Sequence, residues 1–460
     1  MQVFCKNGPV DTHDSTYGVS VLLSFKAENT HSFKDQVELS LLATSIADDR
    51  VVREVPWRAG GKLIKTLPVA GLFGANASGK SNVLKAMHDM RVLVLSSFRH
   101  GAPAGGVSRT PFLLSAESRQ EPTSFAVDII LNGVRHEYSF AVNDDRVLTE
   151  RAVRYPHGKS ALLFERLGDE VTYGSSNRAR SKAVKALLRP NALFLSTAAS
   201  AGHPDLLPLY TWFARNLLFA DAQSRMFRQG VTHRLLNDDE AREKVLQLLQ
   251  AADLGITGAK RQPMDPDMKR KMERVFQILT DQEGDSEASK EASSTFEDLE
   301  IRLTHQGEDG EVEFSHGVES LGTLVWFGLI GPIIEALAAG AVFLADELDA
   351  SLHPSLVAEV VRLFQNPEAN PHQAQLIFNS HDATLMGDSS GDRLLGRDQI
   401  WFTEKHSDGS THLYPLSDLD PRKEEAIGRR YLSGRYGAVP IITKHDFMEA
   451  ALAITSGGDR

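Results

Sequence analysis

Four short runs of this chain carry residue types that can do chemistry. The first is Gly74-Ala75-Asn76-Ala77-Ser78-Gly79-Lys80-Ser81. It fits the pattern G-x-x-x-x-G-K-[ST], in which glycines let successive backbone N–H groups turn inward on phosphate oxygens. In that pattern Lys80 reaches the β- and γ-phosphates and the Ser81 hydroxyl meets magnesium. The second run is Asp346-Glu347, which closes the apolar stretch "AVFLA". Two carboxylates at the end of a buried strand are costly without a cation. Asp346 suits a magnesium ligand, and Glu347, pointing to the other side, suits a general base on an attacking water. The third is His381, at the tip of the apolar stretch in "AQLIFNSHD", where an imidazole can hydrogen-bond a γ-phosphate and the water beside it. The fourth is "ESLGT", with Ser320 and Gly322 at the start of an apolar helix. A hydroxyl and bare N–H groups at a helix N-terminus make an anion site, here expected to face the phosphate loop of a second copy of the chain.

These groups need elements to hold them. The stretch "PVAGLF" reads as the strand before the phosphate loop and "NVLKAM" as the helix after it, its positive end aimed at the phosphates. The spacing from Asp346 to His381 leaves room for one helical crossover to an adjacent parallel strand. Around this core the N-terminal part is β-rich: "YGVSVLLSFKAENTHSF", "DQVELSLLAT" and "TSFAVDIILNGVRHEYSFAVN" are strand-like, the last with a hairpin at Asn132-Gly133. From Ser175 to about Met272 the pattern is helical, with "HRLLNDDEAREKVLQLLQAADLGI" at helical spacing. Leu279 to Glu300 is small, polar and acidic and reads as a surface loop or linker. From Phe314 onward helix and strand alternate. No internal repeat is present.

The bulk properties narrow the class. The chain has 460 residues, of which 42% are hydrophobic and 24% charged, the profile of a soluble globular protein. A single cysteine, Cys5, excludes an internal disulfide framework and points to a reducing compartment. The opening "MQVFCKNGPV" has no secretory pattern, so a cytoplasmic location is expected. The run "LVWFGLIGPIIEALAAGAVFLA" has the length of a membrane span. Its glycines, Pro332 and Glu335 make it a buried helix followed by a buried strand instead, and no membrane partner is expected. The net charge of −11 disfavours nonspecific attraction to nucleic acid.

The order of motifs resembles the ABC-type ATPase heads, above all the compact ones related to DNA-repair and chromosome-maintenance ATPases. Within these the chain is similar to small bacterial AAA-labelled, ABC-clade ATPases of abortive-infection and other anti-phage loci, the RloA-like group. The runs that carry the resemblance are "ENTHSFKDQVELSL", "GANASGKSN", "ADLGI", "ESLGT", "ADELDASLHPSL", "AQLIFNSHD", "RDQIWFTEK" and "RYLSGRYGAVP", spread from Glu28 to Pro440. The resemblance implies an α/β ATPase head: a mixed sheet with a P-loop and RecA-like core, an antiparallel β subdomain and a helical insertion. The corresponding divisions are 1–174 for the N-terminal half with the P-loop, 175–300 for the insertion and acidic linker, 301–425 for the C-terminal half, and 426–460 for a helical closure. It implies ATP on Gly74, Ala75, Asn76, Ala77, Ser78, Gly79, Lys80, Ser81 and Asn82, with Ser320, Gly322 and Asp349 acting across a dimer. It also implies Mg2+ on Ser81 and Asp346, and catalysis by Glu347, His381 and Lys80. The chain departs from the family pattern in two places: "ESLGT" lacks paired glycines, and no clear glutamine marks the loop that links magnesium to the helical region.

The partners implied are a second copy, arranged head to tail and compatible with larger assemblies of dimers, and a separate nuclease-like effector released by a DNA or phage-derived trigger. Two other readings draw on different residues. The set Glu404, Asp418 and Asp420 offers a metal-dependent nuclease. Arg178, Arg180, Lys182, Lys185 and Arg189, with a second basic run from Lys269, offer a DNA-repair head that tracks a phosphate backbone, although such runs are usually solvated helix faces.

Overall fold

The apolar run before the phosphate loop becomes the strand Val69–Gly74, buried at every residue. The computed structural model describes residues 19–58, 61–102, 105–221, 224–263, 299–387, 393–423 and 425–440, with a few helical residues at 267, 270, 274 and between 445 and 452. The chain divides into two units: 1–221 with 336–460, and 222–335. The second unit therefore begins at 222 rather than at the expected 175, and ends at 335 rather than 300. The helices Arg178–Lys185, Phe194–Ser200 and Leu207–Arg215 belong to the first unit. They bury Phe194, Trp212 and Phe213 in its main core.

The first unit contains the sheet that positions the expected chemistry. Its strands run Leu217–Ala220, Val342–Ala345, Gln375–Asn379, Val69–Gly74, Ile400–Lys405 and Thr411–Pro415 in spatial order. The first five are mutually parallel. Parallel strands covered on both faces read as continuous apolar runs, as "VAGLF", "VFLA" and "LIF" do. They also need crossovers. The helix Pro354–Gln365 supplies one, with Pro354 at its first turn and the His353 Nδ1 accepting from Ser355 N–H at 3.2 Å. The sequence did not disclose Leu217–Ala220 as a strand; four residues between helices carry too little periodicity.

A seven-stranded antiparallel sheet packs in the same unit. It includes the expected hairpin, where Asn132 (φ 51°) and Gly133 (φ 72°) take the left-handed conformations of a tight primed turn. A bulge between Leu22 and Ser24 breaks the ladder to Thr123–Leu131, and the freed Leu22 N–H donates to Gln375 Oε1 at 2.7 Å. The Gln375 amide nitrogen returns bonds to Leu22 O and Leu67 O. One buried side chain thus ties the two sheets. Glu150, fully buried, accepts from Phe194 N–H, Leu195 N–H and the Tyr138 hydroxyl, anchoring the helix Phe194–Ser200 to the antiparallel sheet.

The second unit holds the helices Arg225–Leu235 and Asp239–Ala251, a three-stranded antiparallel sheet (Ile256–Pro263, Leu299–Gly307, Gly310–Phe314) and most of the helix Leu321–Ala339. The expected helical stretch therefore ends in a strand at Ile256, and most of the acidic run lies outside the described residues. The helix Leu321–Ala339 is long and apolar enough to cross a membrane by length and composition. Here Trp326, Phe327, Leu329, Ile330 and Ile333 are buried. Thr232 opens it: its hydroxyl donates to Phe327 O at 2.7 Å and accepts from Gly331 N–H at 3.0 Å, so a side chain stands inside the helical ladder one residue before Pro332. Only glycine fits there, since a Cβ at 331 would lie 2.6 Å from Thr232 N.

The helix after the phosphate loop, Lys80–Ser96, is locked to the sheet edge by His88, whose ring stacks on Phe219 with centroids 4.6 Å apart. Burial, then the nearby Arg91, pushes this imidazole down to about 4. The folded pKa lies below that of the unfolded chain, so the stabilisation is complete above about pH 6.5 and is lost as pH falls towards 4. Wild-type protein is expected to lose about 2 kcal/mol from this group between pH 7.5 and pH 5, and His88→Phe to lose correspondingly less. Urea unfolding of both proteins at the two pH values checks this.

Candidate functional site

The loop 75–79 leaves the strand Val69–Gly74 and enters its helix through Gly79, at φ 107°. A Cβ there would lie 2.3 Å from Thr411 Oγ1, so glycine is required both for conformation and for space. Ala77 also takes a left-handed conformation, φ 60°. The loop is braced from three sides. Ser78 Oγ lies 2.6 Å from Thr403 Oγ1, and Ser78 O accepts from Thr411 Oγ1 at 2.8 Å. Ser32 Oγ lies 2.7 Å from Thr411 Oγ1 and accepts from Asn82 Nδ2 at 2.7 Å. Beside the loop, the Tyr431 ring stacks on Phe402 of the neighbouring strand Ile400–Lys405, with Tyr436 next to it. The closing run "RYLSGRYGAVP" therefore packs against the strand Ile400–Lys405, the neighbour of the phosphate-loop strand.

Lys80 is only 6% exposed. Its ammonium donates to Gly74 O at 2.8 Å and to Ala75 O at 3.0 Å. Burial holds its pKa below the usual lysine range, and the fields of Asp349, Glu347 and Asp346 oppose that shift. Four groups from two separate runs thus share one electrostatic environment.

The carboxylate side is built from the ends of two neighbouring parallel strands. Ala345 is in register with Phe378, and Asn379 with Leu72, so Asp346 and the loop before His381 emerge at the edge where the phosphate loop begins. Glu347 sits at φ 55° and its N–H donates to Asn379 Oδ1. Asn379 Nδ2 donates to Asp346 Oδ1 and, at 3.1 Å, to Ser81 Oγ. Asp349 Oδ2 accepts from Ser380 Oγ at 2.9 Å and from His381 N–H at 3.0 Å. The side chains of Glu347 and His381 are exposed, while Asp346 and Asp349 are half-buried. The sequence-predicted pair Ser81 and Asp346 therefore lies within reach of a single amide nitrogen. Two hard oxygen donors so close fit a magnesium ion that keeps waters and phosphates as its other ligands. Among the described residues no group of three or more His, Cys, Asp or Glu side chains could hold a metal by itself.

Ser320 and Gly322 belong to the second unit and are described there alone. Ser320 Oγ accepts from Thr323 N–H at 3.1 Å and so caps the helix Leu321–Ala339. Its hydroxyl also lies 2.9 Å from Thr323 Oγ1, in a bond that either hydroxyl can donate. The preceding Glu319 is held by His305 Nε2 at 2.8 Å. The residues of the competing readings do not assemble. Glu404, Asp418 and Asp420 are exposed and form no metal-binding group among the described residues. Arg178, Arg180, Lys182 and Lys185 project from one eight-residue helix whose buried residues are Ser181 and Val184. Lys269 lies outside the described residues.

A family described as "AAA domain, putative AbiEii toxin, Type IV TA system" matches residues 69–387, from the first residue of the phosphate-loop strand to the end of the turn after His381. The chain belongs to this family. Within this AbiEii-type AAA family it carries the P-loop ATPase architecture, with an ABC-type arrangement of strand ends. No curated protein matches it. Solved structures similar to it include the SMC head domain from Thermotoga maritima, at 14% identity over 86% of this chain and 98% of that one, TM-score 0.34. Another is an SMC head with an extended coiled coil bound to the C-terminal domain of ScpA, from Pyrococcus furiosus, at 14% identity over 87% and 98%, TM-score 0.35.

Sequence reasoning missed Asn379, Thr403, Thr411, Ser32 and Tyr431. Asn379 had a legible signal, a primary amide directly after the apolar run "LIF". The other four reveal themselves only through contacts across hundreds of residues. The depressed Lys80 pKa gives a directional expectation for this AAA site. Affinity for ATP should be flat through neutral pH and begin to fall at a pH below the ordinary lysine range, as the free ammonium loses its proton. Lys80→Ala should cost about 100-fold in affinity, equivalent to about 3 kcal/mol for a charged hydrogen-bonding group. Titration with a fluorescent ATP analogue from pH 7 to pH 10 measures both.

Proposed function

We propose that this chain is an Mg2+-dependent ATP hydrolase that works as a switch, with each ATP held between two copies arranged head to tail. The observation that carries the reading is the convergence of Lys80, Ser81, Asp346, Glu347 and Asp349 around one loop at one edge of the parallel sheet. Lys80 and the N–H groups of residues 75–79 bind the phosphates. Ser81 and Asp346 are the residues that would hold magnesium, which supplies charge neutralisation on the β- and γ-phosphates. Glu347 accepts the proton of the attacking water. His381 contacts the γ-phosphate, and Asp349 fixes the backbone of its loop. Ser320 and Gly322 of a second copy complete the phosphate shell from the opposite side, their helix N-terminus meeting negative charge.

In this scheme ATP favours the closed pair because its γ-phosphate touches both copies, and hydrolysis removes that bridge. Nucleotide controls the pairing only through this difference in contacts. The setting we infer is anti-phage defence of the RloA-like kind in the cytoplasm, with the ATPase restraining or licensing a separate nuclease-like effector. The family's description, which names a toxin of a toxin–antitoxin system, supports that setting.

Glu347→Gln should bind ATP and Mg2+, hydrolyse it at least about 100-fold more slowly, and run as a dimer in light scattering. Ser320→Ala added to that variant should return it to the monomer. Hydrolysis by Glu347→Gln at the wild-type rate removes the base assignment. A dimer indifferent to Ser320 removes the head-to-tail site.

A further inference from the structure

Asn379 closes the strand Gln375–Asn379 and is 1% exposed. A buried primary amide has two donors and an acceptor to satisfy, and leaving any of them bare is costly. All three are taken by groups of the nucleotide site. Nδ2 donates to Ser81 Oγ, 298 residues earlier in the chain, and to Asp346 Oδ1, 33 residues earlier. Oδ1 accepts from Glu347 N–H. The orientation of the carboxamide is fixed by chemistry: a carboxylate only accepts and a backbone N–H only donates. The bond to Glu347 also holds that residue in a left-handed conformation, φ 55°, which is uncommon for a side chain larger than glycine.

We infer that Asn379 is a positioning residue that couples the two cation ligands to the catalytic carboxylate. Its nitrogen sets the separation of Ser81 Oγ and Asp346 Oδ1, and its oxygen aims the peptide that carries Glu347. A cation that draws the two ligand oxygens together shifts the same amide plane, and Glu347 N–H follows. The next two residues extend the link, because Ser380 Oγ and His381 N–H both bond Asp349. The three-residue run 379–381, which ends in the switch histidine, therefore touches Ser81 after the P-loop, the Asp-Glu turn and Asp349. No other side chain of this size does the same work. Aspartate loses both donors and sets a charge against Asp346. Leucine fills the space and bonds nothing. Serine and threonine offer one donor and fall short of a third partner.

This inference rests on the ATPase reading above, and its test separates the two. The full chain and its Asn379→Leu and Asn379→Ala variants are titrated with a fluorescent ATP analogue, once in EDTA and once across a range of Mg2+ concentrations. Steady-state ATPase is measured alongside. Affinity in EDTA should stay within about twofold of wild type, because Lys80 and the loop amides are untouched. The gain in affinity on adding Mg2+ should shrink by about 10- to 100-fold, the usual effect of losing a group that orients metal ligands. The kcat should fall by a similar factor with KM little changed. Adding Ser81→Ala should make the Asn379 substitution cost less than it does alone in the Mg2+ titration, since the two share one contact. Equal weakening with and without Mg2+ assigns Asn379 to plain structural support and overturns the inference, as does a wild-type Mg2+ dependence in both variants. A wild-type chain that binds no ATP overturns the ATPase reading itself. The alanine variant, which leaves room for a water, serves if the leucine variant does not fold.

Discussion

An ammonium group buried at the mouth of a parallel sheet is the constraint around which the first unit is arranged. Lys80 has lost most of its water, and two carbonyls of its own loop replace only part of it. The field of three carboxylates just past the strand Val342–Ala345 offsets part of the rest. That balance works only if the strands are parallel, adjacent and in register, so that their carboxyl ends meet at one edge. Gln375, buried between the two sheets, and the hydroxyls of Ser32, Thr403 and Thr411 keep the edge and the loop in that relation. The chemistry is thus a property of where strands end rather than of any one motif.

The motifs that lie along a single segment were legible. "GANASGKS" announced its strand, loop and helix because glycine spacing and apolar runs are local signals. Asp346-Glu347 and His381 stood out because polar residues end abruptly apolar strands. What stayed hidden depends on pairing over long separations. The strand Leu217–Ala220 is recognisable only beside Val342–Ala345. Thr403 and Thr411 are unremarkable polar residues in a hairpin until the phosphate loop lies against them. Helical periodicity correctly marked the stretch after Ser175, yet amphipathicity says that a face is buried without naming what covers it. Phe194, Trp212 and Phe213 turn towards the core of the first unit, and the division at 222 follows from that choice.

The second unit shows a different economy. Its long apolar helix would be a plain rod by composition, but Thr232 enters its ladder beside Gly331 and Pro332. The two ends of that helix therefore need not respond together. The end capped by Ser320 is anchored by its own small set of bonds, with Glu319 fixed to His305.

The position of the phosphate-loop strand in its sheet has a consequence for biosynthesis. Its two neighbours are Gln375–Asn379 and Ile400–Lys405, and the hydroxyl contact that steadies the loop joins Ser78 to Thr403 across 325 residues. A ribosome that has just released the glycine-rich segment has made none of the strands that flank it. The nascent chain can form the N-terminal hairpins early, since their contacts are local, but it must wait for almost the entire message before the central strand acquires partners. Premature termination anywhere before residue 400 would leave an adhesive apolar strand with an open edge, and such fragments are natural clients for chaperones and proteases.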